Sequence, residues 1–253
     1  ARPNIIFIRR NKVKYYLITG ASSGIGREMA KSLSDSDTMI ILVARRQEKL
    51  LEVQKELKGK SMVIPCDLTK TDEIESVFHT LQEEGIRLDG LIYCAGIAFI
   101  KTLKLMERDD LENMFRVNVF GFYEMCRHFQ NVKASNKGAA IVGISSYAAT
   151  MKEPGMSAYA MTKEAMNTQV QILAKEFLKR RIRINAVMPA NVMSKMCDDN
   201  NDWTEEEIAE LTRKQPLGVI PIANVINTVQ FLLSEDAKYI TGECIGISAG
   251  YHG

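Results

Sequence analysis

The 253-residue chain has no apolar run approaching the ~20 residues of a membrane-spanning helix. It also has little net charge, formally +2, so no strong field points to nucleic acid or a membrane surface as partner. No CxxC and no Cys/His pair has metal-ligand spacing, and no bound metal is expected. The five cysteines, Cys66, Cys94, Cys126, Cys197 and Cys244, are odd in number and widely scattered. They read as reduced thiols of a cytoplasmic protein rather than a disulfide framework. The three histidines (His79, His128, His252) stand apart from any carboxylate or thiol at a suggestive spacing. None is expected to be catalytic. No G-x-S-x-G elbow surrounds Ser146, which speaks against a Ser–His hydrolase. Repeats, low-complexity tracts and linkers are absent, and no composition shift divides the chain. In the N-terminal stretch Ala1–Lys12, the apolar Ile5-Ile6-Phe7-Ile8 precedes Arg9-Arg10, the wrong order for a signal peptide. Residues 1–11 therefore read as an extension, and 12–253 as one domain.

What is present is a core. Hydrophobic residues make up 46% of the chain. Near-continuous apolar runs predict strands at Tyr15–Thr19, Met39–Ala44, Ser61–Cys66, Gly90–Cys94, Ala139–Ser145, Arg183–Met188 and Cys244–Ile247. Such runs suit strands covered on both faces. Between them lie helical stripes: Ile25/Met29/Leu33, Ile74/Val77/Phe78/Leu81, Leu111/Phe115/Phe122/Met125/Phe129, Met166/Val170/Leu173/Phe177 and Val225/Ile226/Val229/Leu232/Leu233. The alternation predicts an α/β fold. Its parallel sheet would have about seven strands, doubly wound, with helices on both faces.

Thr19-Gly20-Ala21-Ser22-Ser23-Gly24-Ile25-Gly26 follows the first strand and opens the first helix. Gly20 permits a tight turn, while Gly24 and Gly26 clear side chains from where a pyrophosphate and the strand come close. Backbone N–H groups at the helix start then face an anion. The spacing is G-x-x-x-G-x-G, and a plain strand–helix turn is the competing account. After the second strand, Ala44-Arg45-Arg46 offers no carboxylate for a ribose 2′-OH. A guanidinium there suits a 2′-phosphate, which favours NADP(H) over NAD(H). Arg46 as a solvated helix start is the alternative. Asp67 is placed to meet an adenine edge, or to cap the next helix together with Thr69.

Tyr159 and Lys163 are four apart and share a helical face. An ammonium near a phenol lowers its pKa. Tyr159 is then able to give a proton to a carbonyl oxygen. Ser146, thirteen residues earlier at a strand end, is placed to hydrogen-bond that oxygen. Asn118 falls inside the apolar stripe between Phe115 and Phe122. A buried amide needs partners. Either nearby backbone satisfies it, or the helix is distorted there and frees a carbonyl for a water beside Lys163. The residues by themselves do not choose.

Taken in order, these motifs resemble the short-chain dehydrogenase/reductase superfamily, in particular its 3-oxoacyl-acyl-carrier-protein reductase-like members, over about Lys12 to the C-terminus. The matches are Thr19-Gly20-x-x-x-Gly24-x-Gly26, Asp67, Val117-Asn118-Val119, Ile144-Ser145-Ser146 and Tyr159/Lys163. The resemblance implies a single-domain Rossmann fold and a catalytic tetrad of Asn118, Ser146, Tyr159 and Lys163. Tyr159 would be the acid/base, Ser146 would position substrate, and Lys163 would bind the nicotinamide ribose and depress the Tyr159 pKa. Asn118 would anchor a relay water. Implied cofactor contacts are Gly20, Ser22, Ser23, Gly24, Ile25, Gly26, Arg45, Arg46, Asp67, Leu68, Ala95, Gly96, Tyr159, Lys163, Pro189, Val192 and Ser194. Three departures stand out: Tyr93-Cys94-Ala95-Gly96 for Asn-Asn-Ala-Gly, Pro189-Ala190 for Pro-Gly, and Ser248-Ala249-Gly250 for Asp-Gly-Gly.

The expected reaction moves a hydride between NADP(H) and a carbonyl or secondary alcohol of a small molecule, possibly carrier-bound. Pocket candidates are Ala98 to Lys101, Tyr147 to Met156, and the loop from Asn191 to Pro221. These include Met151, Met156, Met193 and Met196, whose thioethers suit an apolar, adaptable pocket or ordinary packing. Lys133, Lys137, Lys179, Arg180 and Arg181 form either a docking patch for an acidic carrier or favourable charge at helix C-termini. A hydroxysteroid, bile-acid or sugar-derivative dehydrogenase is the alternative within the family. A non-catalytic NADP-binding regulatory protein is the alternative outside enzymes. The family also implies a homodimer or homotetramer through the helices carrying Asn118 and Tyr159.

Overall fold

The computed structural model describes residues 13–193 and 204–251. Expectations placed on residues 1–12, Ser194, Met196, Cys197 and His252 lie outside that range. The strands are β1 (Lys14–Thr19), β2 (Thr38–Ala44), β3 (Lys60–Pro65), β4 (Leu88–Tyr93), β5 (Ser135–Ile144), β6 (Arg183–Pro189) and β7 (Cys244–Ile247). They form one parallel sheet in the order β3-β2-β1-β4-β5-β6-β7. Every predicted strand is present. β5 starts four residues earlier than the apolar pattern indicates. Ser135 already pairs with Leu88, and an irregularity follows before Ala140 meets Gly90. Asn136, Lys137 and Gly138 in that irregular stretch are polar or lack a side chain, so no apolar pattern marks it.

The helices are α1 (Gly24–Leu33), α2 (Gln47–Glu56), α3 (Thr71–Glu83), α4 (Arg108–Phe115), α5 (Phe122–Phe129), α6 (Ala148–Met151), α7 (Ser157–Glu176), α8 (Glu205–Lys214) and α9 (Ile222–Leu233). A π-helical segment, Arg116–Gly121, joins α4 to α5. Alternate strand residues face opposite ways. Leu17, Ile41, Val43, Leu91 and Ile141 pack against α3, α5 and α7. Ile18, Ile40, Leu42, Ile92 and Val142 pack against α1, α2 and α9. The helical stripes read from the sequence supply those faces, and Phe122, Met166, Val170, Val225 and Val229 are fully buried.

This is a doubly wound Rossmann fold. The connections run outward in one direction from β1 through β3 and in the other from β4 onward. The crevice where the direction reverses lies beyond the C-terminal ends of β1 and β4, the general ligand position in such sheets. At the far C-terminus, Ala249 takes the left-handed conformation (φ 52°) where the family ending carries glycine. That geometry costs a non-glycine residue roughly 1–2 kcal/mol.

Candidate active site

The turn after β1 is shaped by close approach. Gly20 has φ 63°, and a Cβ there would lie 2.8 Å from the Ala95 nitrogen. A Cβ on Gly26 would lie 2.3 Å from the Gly20 carbonyl oxygen. The first strand end is stitched to the fourth by Ala95 N–H, which donates to Thr19 Oγ1 at 3.2 Å. Ser23 is the N-cap of α1, and its side chain makes no capping bond. The first-turn amides of α1 thus face the crevice without a side-chain acceptor, as a phosphate-binding helix start requires. These features fit a nicotinamide dinucleotide.

The residues expected on the adenosine side lie at the ends of β2 and β3. Arg45 and Arg46 are both exposed. Arg46 is the N-cap of α2, and its carbonyl accepts from Leu50 N–H at 3.2 Å, so the helix-start account describes its backbone. Asp67 Oδ1 accepts from Thr69 N–H at 3.0 Å and from the Thr69 hydroxyl at 2.8 Å. It forms a local turn ahead of α3, whose N-cap is Lys70. Burial works to raise the Asp67 pKa, but the Thr69 bonds and the charges of Arg45 and Lys70 outweigh it and leave it lowered. Leu68 is buried beside Gly121.

The residues expected to react lie beyond the ends of β4 and β5. Lys163 is 4% exposed, and its ammonium donates to the Ile144 carbonyl at 2.8 Å. Asn118 is fully buried in the π segment. Its Nδ2 donates to Ile97 O at 2.9 Å and to Thr162 Oγ1 at 3.0 Å, and its Oδ1 accepts from Ile97 N–H at 2.9 Å. Both sequence accounts of Asn118 therefore hold in part: backbone satisfies the side chain, and the helix is distorted. A Cβ on Gly96 would lie 3.3 Å from Lys163 Nζ and 3.4 Å from Asn118 Oδ1. The missing side chain keeps the space between them open.

Tyr159 is half-buried, with Lys163 Nζ 5.7 Å from its ring centroid. The expectation of a lowered phenol pKa is not met. Burial raises it, and the Ser146 hydroxyl only partly offsets this. The physical reason is that Lys163 spends its ammonium on a strand-end carbonyl and is itself desolvated. Ser146 Oγ also accepts from Ala148 N–H at 3.1 Å. Beyond β6, Pro189 O accepts from Tyr147 N–H at 2.9 Å. Val192 pairs with Ile220.

Burial pulls the Lys163 ammonium from 10.5 down to about 8, with the Cys94 thiol pulling weakly the other way. An unfolded lysine stays charged to about pH 10.4. Between about pH 8 and 10.4 the unfolded state holds more protons, so this site's contribution to stability rises with pH; below about 8 its full penalty applies. Urea denaturation at pH 8 and pH 10 checks this. Wild type is expected to gain about 2 kcal/mol on Lys163→Met across that interval. A constant difference would mean Lys163 titrates normally.

Several contacts around these residues are not marked by the motifs. Thr162 accepts from Asn118 and donates to Tyr159 O at 2.8 Å. Ser145 donates to Lys163 O at 3.2 Å, fixing α7 against β5. Both are polar residues on buried faces next to predicted site residues, a signal that was available. The fully buried Gln215 ties the chain after β6 to the residue past α8: its Oε1 accepts from Asn191 N–H at 2.8 Å, and its Nε2 donates to Asn191 O and Gly218 O, each at 3.2 Å. The carboxylate of Glu153 gathers Lys214 Nζ at 3.2 Å and the Tyr251 hydroxyl.

A glycine turn at the switch point and a buried lysine one turn beyond a tyrosine define a nucleotide-dependent oxidoreductase of the short-chain type. The family model described as Enoyl-(Acyl carrier protein) reductase matches residues 20–252, and the chain belongs to this family, within the short-chain dehydrogenase/reductase superfamily. It is 30% identical over 235 residues to the 3-oxoacyl-acyl-carrier-protein reductase FabG of Rickettsia bellii, covering 92% of this chain and 95% of that protein. It is 29% identical over 249 residues to FabG of Staphylococcus aureus, covering 94% and 98%. A short-chain dehydrogenase/reductase from Mycobacterium ulcerans superposes with a TM-score of 0.87 at 27% identity, covering 94% of this chain and 90% of that one. A 3-oxoacyl-acyl-carrier-protein reductase from Brucella melitensis, solved with bound NAD, shares the fold with a TM-score of 0.84 at 23% identity, covering 96% and 92%. The chain is an NAD(P)-dependent oxidoreductase acting on carbonyl or alcohol groups.

Proposed function

We propose that the protein is an NADP(H)-dependent reductase of a 3-oxoacyl-type carbonyl, with Tyr159 as the acid/base. The observation that carries this reading is the convergence of Lys163, Asn118 and Gly96 on one open space, with Tyr159 one turn away. When bound, the nicotinamide supplies or takes up the hydride. Tyr159 gives its proton to the substrate oxygen, and burial favours the neutral phenol that carries it. Ser146 holds that oxygen. Lys163 holds the ribose side, and Asn118 anchors the proton path. Arg45 reads the 2′-phosphate, an assignment supported by its exposure at the end of β2 and by its charge acting on Asp67.

The 3-oxoacyl-acyl-carrier-protein substrate for which the relatives are named supports an acyl-carrier-bound ketone. Lys133, Lys137, Lys179 and Arg181 are exposed and suit an acidic carrier. Arg180 is instead used inside the fold, donating to Gln130 O at 2.5 Å and Ser135 O at 2.7 Å. The exposed Phe120, Tyr123, Met161 and Ile172 on the helices of Asn118 and Tyr159 suit a homodimer or homotetramer. Residues 12–253 form the catalytic domain. Among the described residues no helix is long and apolar enough to cross a membrane, and a cytoplasmic location fits the scattered thiols. The test is turnover with NADPH on a panel of acyl thioester, steroid and sugar ketones. The thioester is expected to react and the others not. Binding of NADPH without turnover of any ketone would replace the reading with a regulatory nucleotide-binding protein.

A further inference from the structure

The π-helical segment Arg116–Gly121 needs an explanation of its own. An i→i+5 turn inside a helix is a local distortion, and its loosened carbonyls need new donors. Two come from other elements. Gln169 Nε2, from α7, donates to Val119 O at 3.3 Å. Tyr93, at the end of β4, donates its hydroxyl to Val117 O at 2.5 Å.

Tyr93 is the first of the two residues, with Cys94, at which the chain departs from the family's Asn-Asn-Ala-Gly. It is fully buried, and its ring meets Phe122 edge-on with centroids 5.2 Å apart. The phenol fits only because Gly121 has no side chain: a Cβ there would lie 2.6 Å from Tyr93 Oη. A large aromatic and a glycine, 28 positions apart, are thus matched across the helix–strand interface. The carbonyl they engage belongs to the residue immediately before Asn118.

We propose that Tyr93 is a positioning residue: its hydroxyl, seated over Gly121, holds the π segment by the Val117 carbonyl and so keeps Asn118 beside Lys163. The tether acts on geometry and not on the reacting atoms. Asn118 must keep three hydrogen bonds to Ile97 and Thr162 while facing the Gly96 space. A segment free to relax toward regular α-helix would rotate the amide out of that arrangement. This inference rests on the proposed reductase reading.

Tyr93→Phe is the test, since it keeps the ring and deletes one hydrogen bond. Two readouts are taken together. Amide hydrogen exchange over residues 116–121 is expected to quicken about 10-fold, with α7 unchanged. In steady-state kinetics with NADPH and an acyl thioester ketone, kcat is expected to fall about 10-fold at unchanged KM and unchanged NADPH affinity. Gly121→Ala, which crowds the phenol, is expected to give the same kcat loss, and the double variant no further loss. Faster exchange with normal kcat would make Tyr93 merely structural, and a kcat loss without faster exchange would rule out the tether. Either overturns the proposal. If the wild type reduces no carbonyl, the reductase reading itself falls, and unaltered exchange in Tyr93→Phe would then sink the tether separately.

Discussion

Tyr159→Phe is expected to lower kcat by about 10²- to 10⁴-fold while leaving NADPH affinity within a factor of about two. The change removes one oxygen and its proton and nothing else. The ring, its packing on α7 and the ammonium 5.7 Å from its centroid all remain. Lys163 keeps its bond to Ile144 O, so its position is undisturbed. What disappears is the phenol proton that lies in hydrogen-bond contact with Ser146. Burial holds that proton on the oxygen in the resting protein, and this is the form a carbonyl reduction consumes. Steady-state kinetics paired with NADPH fluorescence titration measure both quantities. Near-normal kcat would remove Tyr159 from the chemistry.

Arg45→Asp is expected to weaken NADPH about 100-fold and NADH hardly at all. A hydrogen bond to a charged group contributes about 1.5–3 kcal/mol, and the substitution also places a like charge against a 2′-phosphate. Arg45 is exposed at the end of β2, and its charge already acts on Asp67 across the β2–β3 ends. Arg46 is the weaker candidate because its backbone caps α2. Dissociation constants for the two cofactors, measured side by side, decide the matter. Equal weakening of both would mean that Arg45 supports the turn and does not discriminate.

The sheet was legible because its central strands are buried on both faces and are written as largely apolar runs, and the half-buried edge strands β3 and β7 keep enough of that pattern to be found. The helices were legible where one face packs, as in Met166/Val170/Leu173/Phe177. The π segment left a trace in the polar Asn118 within a stripe, but no pattern in the chain names its donors. Tyr93 reads as an ordinary strand end, and its partners Val117 and Gly121 lie 24 and 28 positions on. The rise in the Tyr159 pKa was missed for a related reason. Spacing puts Lys163 on the same face, but only packing reveals that its ammonium is committed to Ile144 O. The contacts around Glu153 were least legible. Glu153 meets Lys214 and Tyr251 from 61 and 98 positions away, beyond any local periodicity.

The Gln215 clasp has a consequence for how this protein can change over evolutionary time. It joins Asn191 to a point 24 residues later through one buried amide. Closing a loop costs only logarithmically more as the loop lengthens, about 0.6 kcal/mol per doubling. Insertions and deletions inside the clasp are therefore cheap, and loss of the clasp is not. The chain between Asn191 and Gln215 can therefore vary in length at little energetic cost as long as the one buried amide still closes it.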